Sequence, residues 1–143
     1  MKSFAATGNP GTPRISRFPA EYQAGICNIG PEEIAARRRA GHVGLAATVL
    51  MFAGLVLVGA QPVARLVLFV PAAVAASGYL QAWLKFCAAF GSRGIFNFGP
   101  MGATTSVSDD ASRARDRRKA LQIGLASGLI GLAVAVMAVF LPI

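Results

Sequence analysis

Residues 42–60 read HVGLAATVLMFAGLVLVGA, with no Asp, Glu, Lys or Arg among them. About 20 such residues in a helix cross the ~30 Å hydrocarbon core of a bilayer, so this run reads as a membrane span. Arg37, Arg38 and Arg39 stand before it. After it the hairpin Gln61-Pro62-Val63-Ala64-Arg65 turns the chain, and a second apolar run covers residues 66–84. A third, residues 120–143, follows the basic stretch that holds Arg113, Arg115, Arg117, Arg118 and Lys119. The expected fold class is therefore all-α: an integral membrane protein with three transmembrane helices, a cytoplasmic N-terminus and short cytoplasmic juxtamembrane helices.

The composition agrees with this. Of the 143 residues 55% are hydrophobic and 14% charged, where a soluble domain carries about 25% charge. The 16 glycines also suit membrane helices, in which glycine is commoner than in soluble ones. A net charge of +8 raises the question of nucleic acid, but the cations flank the apolar runs instead of forming a separate basic face. All 14 lysines and arginines except Arg65 lie in the N-terminal arm or between residues 85 and 119. Cytoplasmic loops carry the excess of such residues, which puts the N-terminus inside and the C-terminus outside. The expected location is the inner (plasma) membrane and the expected partner the lipid bilayer, with no nucleic acid. Residues 1–19, MKSFAATGNPGTPRISRFP, contain three prolines and no apolar core. They do not read as a secretory signal, so the first span is expected to direct insertion and the mature chain to begin at or near Met1.

Outside the spans, residues 1–41 read as a cytoplasmic arm followed by a short basic helix. That helix is expected to start at Gly30-Pro31-Glu32-Glu33, where proline and two carboxylates suit a first turn, and Glu33 and Arg37 stand four residues apart on it. Phe4, Phe18 and Tyr22 give the arm docking residues. Residues 42–90 form a helical hairpin. Tyr79, Trp83, Phe86 and Phe90 are spaced 4, 3 and 4 along it, one helical face, which predicts that the second helix continues to about residue 90. This stripe, with Lys85 and Arg37 to Arg39, is assigned to the membrane interface. Pro71 predicts a kink in the second span. Residues 91–119 form a cytoplasmic loop and basic helix, in which Ile95, Phe96 and Phe98 would meet headgroups or a partner, and Ser106-Val107-Ser108-Asp109 resembles a capping box.

Candidate sites are sparse. Along the third span Ala120, Gly124, Ser127, Gly128, Gly131, Ala135 and Ala138 fall within about a quarter-turn at roughly 100° per residue. Gly124, Ser127, Gly128, Gly131 and Ala135 are the expected helix-packing interface, since small residues let helix backbones approach. His42, at the edge of the first span, could ligate haem, pigment or metal. A lone boundary histidine is more often a hydrogen-bonding residue, and the sequence specifies no cofactor. Cys27 and Cys87 fall on the reducing side and belong to no C-x-x-C pair, so they read as free thiols and no metal site is assigned. No acid lies inside a span, and no constellation suggests catalysis. The expected role is that of a non-enzymatic accessory, structural or assembly subunit of a larger bacterial-type inner-membrane complex, partnered by other integral membrane subunits. The alternatives are a lipophilic cofactor- or pigment-binding membrane protein and a small oligomeric transporter.

Overall fold

The computed structural model describes residues 21–143; the part of the arm holding Phe4 and Phe18 lies outside these. The described chain is mostly helical, and three of its helical segments are long and apolar enough to cross a membrane: Pro31–Leu57, Pro62–Leu84 and Asp110–Phe140. Helix α1 is Pro31–Leu57, with Gly30 as N-cap, Pro31 in its first turn and Glu32 and Glu33 at its positive end. The basic segment expected as a separate short helix is simply its first turns. After a turn with Gly59 at φ 64°, a 3-10 helix (Pro62–Leu68) leads into α2 (Phe69–Leu84). Pro71 therefore sits in the first turn of α2, where a missing N–H is tolerated, and marks a change of helix type rather than a kink within one span.

Helix α2 stops at Leu84, not near residue 90. Lys85 adopts the left-handed conformation (φ 54°, ψ 36°), and the chain then forms a separate short helix, α3 (Ala88–Arg93). A non-glycine residue in that region costs about 1–3 kcal/mol and persists only where its surroundings over-determine it. Here they do so through hydrogen bonds from both sides. Phe86 N donates to Gln81 O (3.0 Å), Asn28 N donates to Lys85 O (3.2 Å), and the Gln81 side chain accepts from Ala88 N (2.9 Å).

Residues 91–108 are structured against the rest of the chain. Strands β1 (Ile95–Phe96) and β2 (Thr105–Ser106) pair antiparallel, Ile95 with Ser106 and Phe96 with Thr105, and Asn97 bridges in parallel to Ile29. Helix α4 (Asp110–Phe140) begins at Asp109, whose carboxylate accepts from Ser112 N at 2.9 Å. The N-cap is thus Asp109; Ser106, the first residue of the expected capping box, belongs to β2.

Helices α1 and α4 pack on either side of α2 and make little or no direct contact with each other. The α1–α2 seam is built from glycine. A Cβ added at Gly44 would lie 2.6 Å from Ala75 N, and one added at Gly78 would lie 2.7 Å from Arg37 O. The α2–α4 seam contains Gly131, where an added Cβ would lie 2.8 Å from Ala73 Cβ and 2.9 Å from Phe69 O. Below it Phe86, Ala120 and Ile123 form a small buried core with Leu80, Leu84 and Ala88 against it.

Candidate functional site

Three arrangements of polar or small residues stand out, and they occupy different parts of the molecule. The first is a polar layer where residues 21–30 cross the helix ends. Asn28 is fully buried; its Nδ2 donates to Cys87 O (3.1 Å), and its Oδ1 accepts from Cys87 N (2.7 Å). Beside it Arg37 pairs with Glu33 (3.6 Å), donates from Nη2 to Cys87 Sγ (3.0 Å) and lies 5.9 Å from the centroid of the Phe90 ring. Buried Asn97 donates to Glu33 Oε1 (3.2 Å), tying the loop to the start of α1. Asp116, fully buried in α4, accepts from Tyr22 Oη and from Gly25 N, both at 2.7 Å. Burial, with the Asp116 hydrogen bond and charge, pushes the Tyr22 phenol well above its ordinary pKa. Burial likewise pushes the Cys27 thiol up. Phe96 stacks on Tyr22 with centroids 4.7 Å apart, so both residues dock within the chain.

This layer redistributes the residues expected at the membrane interface. Phe86 is fully buried, because the left-handed Lys85 takes it off the helical face that the 4, 3, 4 spacing assumed. Phe90 is half-buried beneath Arg37, and Arg37 points into the polar layer. Arg38, Arg39 and Trp83 remain exposed, while Tyr79 lies against Gly41 and accepts or donates one hydrogen bond with His42 Nδ1 at 2.7 Å. His42 thus has a phenol partner within the chain. Cys27 and Cys87 are both buried and unpaired. Among the described residues no three of His, Cys, Asp and Glu converge in a way that could hold a metal ion.

The second arrangement is at the far end of the bundle and carries no sequence signal. Arg65 is 2% exposed, and its guanidinium donates to the carbonyls of Ala138 (2.9 Å), Leu141 (2.9 Å) and Ile143. It also lies 5.9 Å from the centroid of the Phe52 ring, within cation–π range. Ala138 lies in the last turn of α4, where carbonyls lack intrahelical donors, and Leu141 is its C-cap, so Arg65 caps α4 from the hairpin.

The third is the small face of α4, which divides in two. Ser127, Gly131 and Ala135 are buried against the rest of the chain. Gly124 and Gly128 are not: a Cβ added at either would meet nothing within 4 Å. The small residues that seat α1 on α2, Gly41, Gly44 and Gly78, belong to the same chemistry. Their signal was present in the run Gly41-x-x-Gly44-x-x-x-Thr48, a helical spacing of small residues in the first span. Comparison of the chain with protein families, with curated proteins and with solved structures finds no match.

Proposed function

We propose that this chain is an accessory or assembly subunit of a larger inner-membrane complex, a non-enzymatic protein that acts by packing its helices against other integral membrane subunits. The observation carrying this reading is the open pair Gly124 and Gly128 on α4. In lipid, apolar surface alone gives no driving force for helix association, because the acyl tails are equally apolar; close backbone approach at small residues contributes instead. A bare GxxxG pair on a helix of spanning length, unused inside the chain, offers that approach to another helix. The apolar outer faces of all three helices are compatible with lipid contact.

On this reading the polar layer faces the cytoplasm and the Arg65 end faces outward, following the lysine and arginine distribution. Two substitutions separate assembly from folding. Gly128→Leu enters open space, so the chain should insert and accumulate normally yet leave its native complex. Gly131→Leu would strike Ala73 and Phe69 and should lower the folded amount itself. Native electrophoresis with quantified membrane protein reads both. An unchanged complex in Gly128→Leu would remove the support for this function.

A further inference from the structure

Because α1 and α4 flank α2 without closing on each other, a groove runs between them with α2 as its floor. Its middle and deep parts are cavities of about 210 Å³ each, which share Thr48 of α1 and Val134 of α4. Ala72 and Ala76 floor the middle; Phe52 and Met137 wall the deep part. The lining presents hydrocarbon. The Thr48 hydroxyl is spent on Gly44 O (2.8 Å), and the Tyr79 hydroxyl on His42. At the other end the same flank of α1 and α2 opens into a wider recess of about 380 Å³, bordered by Arg38, His42, Tyr79 and Trp83.

We propose that this groove binds one anionic phospholipid, its phosphate against Arg38 and His42 and an acyl chain lying along α2 between the two outer helices. Three features select this occupant. The first is charge: Arg38 makes no hydrogen bond or ion pair among the described residues, and a guanidinium is suited to bidentate contact with phosphate. His42 stands beside Arg38 at the mouth, its Nδ1 2.7 Å from Tyr79 Oη, so the ring is fixed there by one of its two nitrogens. The second is length. From Arg38 to Phe52 is about 21 Å at 1.5 Å per residue, half the roughly 40–45 Å of a bilayer with its headgroups, so the groove matches one leaflet from head to tail. The third is the lining: both cavities are walled almost wholly by apolar side chains, the surroundings an acyl chain favours. Trp83, 79% exposed at the mouth, suits the interfacial level of a headgroup.

The test uses the purified full chain in mild detergent micelles, titrated with dioleoyl phosphatidylglycerol or dioleoyl phosphatidylcholine and read by native mass spectrometry. The expected result is one retained phosphatidylglycerol per chain, bound about fivefold more tightly than phosphatidylcholine. Arg38→Gln should bring the two lipids to equal affinity. Val134→Trp, which puts an indole where the two apolar cavities meet, should abolish retention of either lipid at unchanged helix content by circular dichroism. Equal affinity of the unsubstituted chain for both lipids overturns the proposal, as does phosphatidylglycerol retained by a folded Val134→Trp chain. If Val134→Trp fails to fold, Arg38→Gln decides, since its side chain is exposed: an undiminished preference for phosphatidylglycerol overturns the site. A co-purifying protein helix that is lost in Val134→Trp, with no lipid retained by the unsubstituted chain, overturns it too.

Discussion

Asn28 holds Cys87 by both of its side-chain polar atoms while being fully buried itself. Truncation would leave the buried Cys87 N–H without a partner, at a cost of about 1–3 kcal/mol, while the Cys87 carbonyl would keep its bond from Gly91 N (2.9 Å). Asn28→Ala is therefore expected to lower stability by roughly 1–3 kcal/mol, measurable by denaturant unfolding in detergent; a loss below about 0.5 kcal/mol would mean that the clamp is not what holds the turn at Lys85. Tyr22 supplies a second residue-scale prediction. Its native phenol holds a proton more tightly than the unfolded chain's, whose pKa is about 10. Its stabilising contribution is thus complete below about pH 10 and is lost as the pH rises from there through the native value. Alkaline titration of tyrosinate absorbance should show a late-ionising component that disappears in Tyr22→Phe; identical curves for the two proteins would contradict the Asp116 hydrogen bond.

Among the elements, the α1–α2 hairpin depends on backbone contact at two glycines. An added methyl at Gly44 meets Ala75 N at 2.6 Å, and one at Gly78 meets the backbone of Arg37 and Gly41. These neighbours are helix backbone and cannot rotate away, so Gly78→Ala should cost about 1–3 kcal/mol. Gly54→Ala, in open space on the same α1, should be neutral or slightly stabilising by helix propensity. Equal unfolding midpoints for the two variants would refute the seam. The sequence makes the existence of these helices plain, because apolar length and flanking charge are local properties. It does not make plain where α2 ends. That depends on Asn28, more than fifty residues earlier in the chain, reaching Cys87 and Lys85, and a spacing rule applied along one helix cannot register a contact of that range. The α4 small face was legible as a face, but its division into Gly131 buried and Gly124 open is set by where α2 lies. His42 was legible only as a boundary residue; its partner Tyr79 emerges when α1 and α2 pack.

For the whole molecule, the polar layer and the Arg65 cap close the two ends of the bundle by different means. One end is a web of hydrogen bonds among residues 21–30, the helix ends and the β1–β2 loop; the other rests on a single guanidinium. The proposed sidedness can be checked with single cysteines at exposed positions. Thr105 or Ser106 should resist membrane-impermeant maleimide in intact cells and Gln61 should react, while buried Cys27 and Cys87 give little background. Labelling of Thr105 from outside would invert the topology and with it the side on which a partner complex is met.

Arg65 also imposes an order on how the protein is made. Its acceptors lie 73 to 78 residues further along the chain, and at synthesis rates of about 5–20 residues per second they follow it by roughly 4–15 s. During that interval the hairpin exists but its guanidinium has none of these carbonyls to bind, and burial in hydrocarbon without them would be costly. An unpartnered guanidinium favours interfacial water, which leaves the turn between the first two helices unsealed until α4 arrives. Sealing of this end is thus coupled to delivery of α4, and a ribosome stalled before residue 138 would hold a hairpin still open there.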